Sequence, residues 1–272
     1  VEGQRVVPDL VILGRGIAGC CAYQAACELG LNAEIVGDHP EASSAALAVL
    51  SGPFAAMAAH WYRERGYPVK LGALYSTYRK PQARMAPSQY CVDPAPILEL
   101  GRRAAGSQLA LELDGNIGGN DFTADVAIPT LDCRARDDGG RVSYGATWYH
   151  RDPAALASPE LRIHVLRPYH EVHAVAWSSG ARIGSSTGAS PAAARKDAQA
   201  MMEYAIRARW VDRADGWSLL EGRRVRQAWP VKRLGNGCVR FGGFHRSGYT
   251  IAPMLARVAI EEVTASAALR GV

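Results

Sequence analysis

Hydrophobic positions fall into short, wholly apolar runs near the N-terminus and into alternating or helically spaced runs further on. Asp9–Leu13 follows Pro8 as an apolar run, which predicts a strand buried on both faces, as in a parallel sheet. Cys20–Leu29 contains neither Pro nor Gly and stops at Gly30, the pattern of a helix with a glycine C-cap. Asn32–Val36 predicts a second short strand, so residues 9–38 form a β-α-β unit. Ile97–Ala105 has helical spacing. Leu109–Leu113 and Asp125–Ile128 predict strands, Asp137–Gly140 a turn, and Arg141–Trp148 a further strand. Leu161–Arg182 alternates, and Gly180–Ser186 continues it as a hairpin-like strand. Pro191–Arg209 is the longest clear helix, with Met201, Tyr204, Ala205 and Ala208 on one face. Arg223–Val231 and Cys238–Phe241 predict strands around the turn Leu234–Gly237. Ala252–Ala268 predicts the final helix, with Thr250 as its cap and Pro253 in its first turn.

Composition narrows the picture. With 272 residues and 48% hydrophobic positions, the chain can build a substantial core, in one large domain or two interlocked ones. The net charge of +5 is mild, and no run of five or more Lys/Arg occurs, so nucleic-acid binding is not expected. The stretch Ala42–Tyr62 carries no Lys, Arg, Asp or Glu. It is Ala- and Ser-rich and broken by Gly52-Pro53, so it reads as buried backbone and not as a membrane span. Glu2, Arg5 and Asp9 open the chain without an apolar leader. The six cysteines include no Cys-x-x-Cys pair, which disfavours a zinc ribbon and predicts buried free thiols in a reducing, cytoplasmic setting. His170 and His173 stand three apart on an alternating strand and would face opposite sides, so no metal site is expected.

The residues with the clearest chemistry are Gly14-x-Gly16-x-x-Gly19. They lie between the first strand and the first helix, where physics needs them. Gly14 permits the tight turn, Gly16 lets backbone approach a pyrophosphate, and Gly19 lets helix and sheet pack closely. The N–H groups at the start of that helix, Ile17 and Ala18 among them, then face the phosphates. An acidic residue normally ends the second strand and holds the ribose. Asp38 is the acidic candidate here, and it reads equally as a turn residue before His39-Pro40. No Tyr has a Lys four positions later, which disfavours a short-chain dehydrogenase. Near the C-terminus, Ser247, Gly248, Tyr249, Thr250 and Ile251 lead into the last helix, whose N-terminus could face a second electron-rich part of a ligand.

Four stretches resemble the FAD-dependent D-amino-acid oxidase and glycine oxidase group, which includes sarcosine oxidases. Leu13–Gly19 is similar to its FAD fingerprint, and Ala42–Leu50 to its Ser/Ala-rich loop beside the cofactor. Val92-Asp93-Pro94 is similar to its entry into a helix, and Gly243–Pro253 to its closing motif. Weaker matches are Val142–Trp148, similar to the strand under the FAD, and Glu221–Val225, which puts Arg224 on the substrate-binding arginine. The resemblance implies an α/β fold: a Rossmann-like FAD domain with a smaller, reduced antiparallel substrate domain. The FAD domain would use residues 1–60, 91–149 and 216–272, and the substrate domain residues 61–90 and 150–215. It implies FAD as cofactor, held by Gly14, Gly16, Ile17, Ala18, Gly19, Asp38, Ser43, Ser44, Ala45, Gly145 and the stretch Ser247–Ile251.

The implied reaction oxidises an amine or amino acid by hydride transfer to flavin N5, with O2 or another molecule as electron acceptor. Arg224 and Arg246 are the candidate carboxylate clamps, a planar guanidinium being suited to two charge-assisted bonds. On spacing alone both read as surface arginines of a basic stretch, and it is the motif matches that point them to the substrate or the flavin. His173 falls where the group has a substrate-contacting polar side chain, or is a structural histidine. Tyr249 touches the flavin edge or packs on the last helix. Three departures stand out: Gly37 replaces the ribose-binding Glu, His245 and Ser247 alter the closing motif, and the chain is short. The short length leaves room for a larger substrate, a homo-oligomer, or a partner subunit completing the pocket. The other readings are a flavin oxidoreductase of a 2-hydroxy acid or biosynthetic intermediate, and a non-catalytic FAD-binding subunit.

Overall fold

The computed structural model describes residues 7–37, 41–104, 128–134, 140–167, 170–184, 186–235 and 237–268. Among them run thirteen strands and six α-helices. The first sheet has five strands in the order β12-β13-β6-β1-β2, with β1 Leu10–Leu13, β2 Ala33–Val36, β6 Thr130–Asp132, β12 Val231–Gly235 and β13 Cys238–Phe241. Pairing is parallel except between β12 and β13. Every side chain of β1 is fully buried, as expected of a strand covered on both faces. Helix α1, Ile17–Glu28, packs against the last helix α6, Gly248–Ala268. Small residues on both (Ala18, Ala22 and Ala25 against Ala252, Ala256 and Ala259) let the two axes approach. Gly19 is required for the same reason: a Cβ there would lie 1.9 Å from the Gly14 carbonyl oxygen.

The second sheet has eight strands in the order β11-β7-β10-β9-β8-β4-β5-β3. These are β3 Val49–Leu50, β4 Val69–Thr77, β5 Lys80–Val92, β7 Arg141–His150, β8 Arg162–Arg167, β9 His170–Trp177, β10 Gly180–Gly184 and β11 Ser218–Arg226. It is antiparallel apart from the β4–β8 pair. Helix α5, Pro191–Arg207, lays Met201, Met202 and Ala205 on Val172, Ala174, Ala181 and Ile183. The mixed α/β class expected from the sequence is the one observed. Strands β7 and β11, assigned by the resemblance to the FAD side, hydrogen-bond within the eight-stranded sheet.

Several sequence expectations need correction. The run expected as one strand over Arg223–Val231 is two: β11 ends at Arg226 and β12 starts at Val231, in the other sheet, with Gln227–Pro230 crossing between them. The last helix begins at Gly248, so Pro253 sits inside it and not in its first turn, and Thr250 is not its cap. Instead the Thr250 hydroxyl accepts a bond of 3.0 Å from the Ser51 N–H. Cys20 and Cys21 are buried, but Cys27 is exposed. Leu109–Leu113, most of Asp125–Ile128 and most of Asp137–Gly140 lie outside the described residues.

The Ala/Ser-rich segment contains the short helix α2 (Glu41–Ser44), β3 and the start of α3, Ala55–Glu64. From Ser43 to Leu50 it is covered and mostly irregular backbone, where every carbonyl needs a donor. Ser51–Phe54, Ala56, Met57 and His60 are exposed, so the expectation of buried backbone over Ala42–Tyr62 fails for much of its second half. Donors arrive from distant elements. Tyr249 Oη donates to the Ser43 carbonyl at 3.0 Å, and Thr147 Oγ1 to that of Ala45 at 2.6 Å. Arg182 donates to those of Ser44 and Ala46, at 2.5 and 3.1 Å. Cys91 Sγ lies 3.1 Å from the Leu47 carbonyl, and the Val92 N–H reaches that of Ala48 at 3.2 Å. Arg182 is therefore a buried cation held by carbonyl dipoles, and burial lowers its pKa. Replacing it by Met keeps the volume but leaves two buried carbonyls without their donor. Arg182→Met should lose about 2–4 kcal/mol of unfolding free energy, read by urea denaturation. A loss below the error of the measurement would contradict this account.

Candidate functional site

A cavity of about 1020 Å³ opens between the two sheets, where β1, α1, the Ser43–Ser51 segment, β11 and the start of α6 meet. Gly14, Gly16, Ile17 and Ala18 line it, as do Ser43, Ser247, Gly248, Tyr249 and Ile251. Arg224, Arg246 and His173 line it too. Candidates scattered over the sequence from residue 14 to residue 251 are thus brought to one wall system. Gly19 stands behind this wall, and Asp38 lies outside the described residues. Ser44 and Ala45 do not line the cavity; they shape it through the carbonyl bonds above. Gly145 and Thr250 also stay off the surface of the cavity. Gly145 acts on Arg224, because a Cβ there would lie 2.2 Å from the guanidinium.

Two helix N-termini meet at the cavity. Gly16 precedes α1 without a side-chain cap of its own, and the Ile17 N–H donates to Ser43 Oγ at 2.9 Å. A Cβ on Gly16 would come within 3.2 Å of that hydroxyl. Gly248, the first residue of α6, stands over Ile17, with its would-be Cβ 3.1 Å from Ile17 Cγ2. Neither helix has an acidic residue in its first turn, so both present uncancelled positive dipole ends. Gly14 takes the turn at φ +105°. Gly37, at the end of β2, has φ +118° and touches Gly14, its would-be Cβ lying 3.0 Å from Gly14 N. The backbone there is one that a glutamate rarely adopts.

The charge on the wall is strongly one-sided. Arg15, Arg134, Arg223, Arg224, Arg226 and Arg246 line the cavity, against the single carboxylate of Glu171 among the described residues. Arg134 pairs with buried Asp132 at 2.8 Å. Arg224 is 7% exposed and, among the described residues, donates to the Ser186 carbonyl and Thr187 Oγ1, both at 3.2 Å. Burial, with the Arg246 charge adding, pulls its pKa down to about 10, so it keeps its proton at neutral pH. Arg246 is exposed. His173 Nε2 sits 3.0 Å from Glu171 Oε2, and its Nδ1 is buried without a partner among the described residues. The His173 contact, with the Arg246 charge adding, holds Glu171 below the usual carboxylate range. Tyr249 is buried, both lining the cavity and tethering Ser43. His170 pairs with Asp197 of α5 at 2.6 Å, away from His173.

Sequence reasoning missed Arg182, Glu171 and the Ser143–His245 pair, whose Oγ and Nε2 are 2.6 Å apart. Arg182 had a local signal, a charge between Ala181 and Ile183 in a strand buried along its whole length. His245 had none, since its position depends on a turn with φ +55° that folds back onto β7.

No protein-family model matches the sequence, and no curated protein matches it. Solved structures do resemble it. Iminodiacetate oxidase from Chelativorans sp. BNC1 aligns with TM-score 0.63 and 14% identity over 94% of this chain and 95% of that one. L-α-glycerophosphate oxidase from Mycoplasma pneumoniae, solved with FAD bound, aligns with TM-score 0.62 and 16% identity over 94% of each chain. Glycine oxidase from Geobacillus kaustophilus aligns with TM-score 0.60 and 13% identity, over 95% of this chain and 94% of that one. The chain therefore shares its overall fold with these structures. At these identities the likeness concerns the fold. No described helix is long and apolar enough to cross a membrane.

The wall makes a pH prediction. Burial and the charges of Arg224, Arg246, Arg226 and Arg141 hold His245 below its ordinary 6.5, and burial does the same to His164. The unfolded chain then takes up protons near pH 6.5 that the folded chain refuses, so stability is full above that pH and falls below it. Unfolding free energy should decline from pH 7 to pH 5, and His245→Gln should make the decline shallower. An unchanged slope in the variant would show that His245 titrates normally.

Proposed function

We propose that the chain binds FAD in the large cavity and oxidises the C–N bond of an amine or amino acid whose carboxylate docks on Arg224. One observation carries this reading: a buried guanidinium, bonded to no carboxylate among the described residues, shares a cavity with two helix N-termini. The residues present fit the cofactor's pyrophosphate. Gly14 and Gly16 leave backbone uncovered, the α1 dipole favours anions, and the cavity is at the upper end of roughly 300–1,000 Å³ for ordinary ligand pockets. Gly37 offers the ribose no acid. The likeness of the fold to an iminodiacetate oxidase and a glycine oxidase supports the same reading.

FAD, when bound, would supply the hydride acceptor and pass the electrons on to O2 or another molecule. What this chain adds is placement and electrostatics. Arg224 grips the substrate carboxylate through its planar fork, with Gly145 beneath leaving the guanidinium its space. His173, steered by Glu171, offers a polar contact on the same wall. The first turn of α6 favours negative charge where it meets the cavity. The substrate loses a hydride from the carbon bearing nitrogen, and water hydrolyses the resulting imine to a carbonyl compound and ammonia, or to a primary amine where the nitrogen carries a second carbon. We assign the site residues and the division into a cofactor and a substrate side on the same grounds.

The test is spectroscopic and then kinetic. Purified protein should show flavin absorption that bleaches anaerobically when a pool of D- and L-amino acids, glycine and sarcosine is added. With the responding substrate, Arg224→Ala should lower kcat/KM about ten- to a hundredfold, because a charge-assisted bond is worth roughly 1.5–3 kcal/mol. Flavin bands that no amine reduces, or an Arg224→Ala enzyme with wild-type kinetics, would sink the proposal.

A further inference from the structure

Strands β7 and β11 meet in register with Arg224 opposite Ser143 and Arg226 opposite Arg141. Side chains two apart on a strand share a face, and so do directly paired residues. Arg224, Arg226, Ser143 and Arg141 therefore form a two-by-two patch on one face of the sheet. His245 closes over it from its turn, bonded to Ser143. A second cavity of about 300 Å³ opens here, walled by Arg141, Ser143, Thr187, Gly188, Arg226 and His245 among others. Arg226 and His245 also wall the large cavity, so the two cavities adjoin.

Like charges directly opposite across a ladder repel. Arg141 and Arg226 stand in that relation, and neither is bonded to a carboxylate among the described residues. Water screens part of the repulsion at these exposed positions. An anion between them would remove the rest and gain two charge-assisted bonds. Arg224 has already been assigned the substrate carboxylate, and the α1 N-terminus the phosphates. Among the described residues, the positive charge at the small cavity is in excess of both.

We propose that the small cavity receives a second anionic group of the substrate, so that the molecule oxidised carries two anions. One is the carboxylate at Arg224, and the other is a carboxylate or phosphate between Arg141 and Arg226. The inference rests on the reading of the large cavity as the flavin and substrate site. It narrows the substrate class from amino acids in general to those with an acidic side group or a second carboxylate on nitrogen, and to their phosphate counterparts. A neutral side group would leave both guanidinium groups facing each other.

The test titrates protein reconstituted with FAD with acetate, succinate and 2-phosphoglycolate, read by calorimetry and by the shift in flavin absorption. Succinate or phosphoglycolate should bind at least tenfold more tightly than acetate, and the tighter of the two identifies the second anion. Arg141→Gln and Arg226→Gln, singly and together, should bring that affinity down towards the acetate value, weakening the dianions at least tenfold more than acetate. Equal binding of all three anions would overturn the proposal. So would a double variant that weakens acetate as much as the dianions. If the protein takes up no FAD, the absorption signal is missing but the calorimetric comparison still reads the dianion preference. The failure of the flavin reading and the failure of this one are thus distinguishable.

Discussion

The structure depends on a stretch of backbone that makes little regular structure of its own. From Ser43 to Ala48, six consecutive carbonyls accept contacts from the hydroxyls of Tyr249 and Thr147, the Arg182 guanidinium, the Cys91 thiol and the Val92 N–H. Those donors come from α6, β7, β10 and β5, on both sides of the molecule. Such a segment cannot be buried unless each donor is in place, because an unpartnered carbonyl under cover costs about 1–3 kcal/mol. The same bonds that satisfy the segment therefore fix the two sheets against each other.

The cavity follows from that constraint. Ser43 is held by Tyr249, and its hydroxyl meets the Ile17 N–H at the start of α1. Tyr62 in turn donates to the Tyr249 carbonyl at 2.9 Å, tying α3 to the first turn of α6. Two helix starts are thereby brought to one cavity, with a glycine at each so that backbone is uncovered. The eight-stranded sheet contributes the other wall, where Arg224 lies over Gly145. Dipoles from one side and guanidinium groups from the other give a site whose whole character is cationic. That character suits an anionic cofactor and an anionic substrate held together, and together with burial it lowers the pKa of His245 at the boundary.

What could be read in the sequence was local. The turn at Gly14-x-Gly16-x-x-Gly19 needs three glycines for three steric reasons, and each reason is visible in the spacing. The absence of charge over Ala42–Tyr62 pointed to buried backbone, which holds from Ser43 to Leu50 but not at Ser51–Phe54, Ala56, Met57 and His60, which are exposed. The resemblance pointed to Arg224, Arg246, His173 and Tyr249, all of which line the cavity. What could not be read was set by pairing between distant strands. The opposition of Arg141 and Arg226 exists only once β7 and β11 are in register. The run Arg223–Val231 concealed the crossing from one sheet to the other at Gln227–Pro230, because strand propensity does not say which sheet a strand joins. The early start of α6 was hidden by Pro253, a residue that normally marks a first turn but lies inside this helix.

The central claim is that the large cavity is built for a dinucleotide whose pyrophosphate meets the start of α1. Equilibrium titration of the flavin-free protein with FAD tests it most directly, repeated with ADP present. One equivalent of FAD should bind, ADP should compete for the same site, and Gly16→Val should abolish binding while the fold persists by circular dichroism. FAD that binds as well to Gly16→Val as to the unaltered chain, or that does not bind at all, would contradict the account.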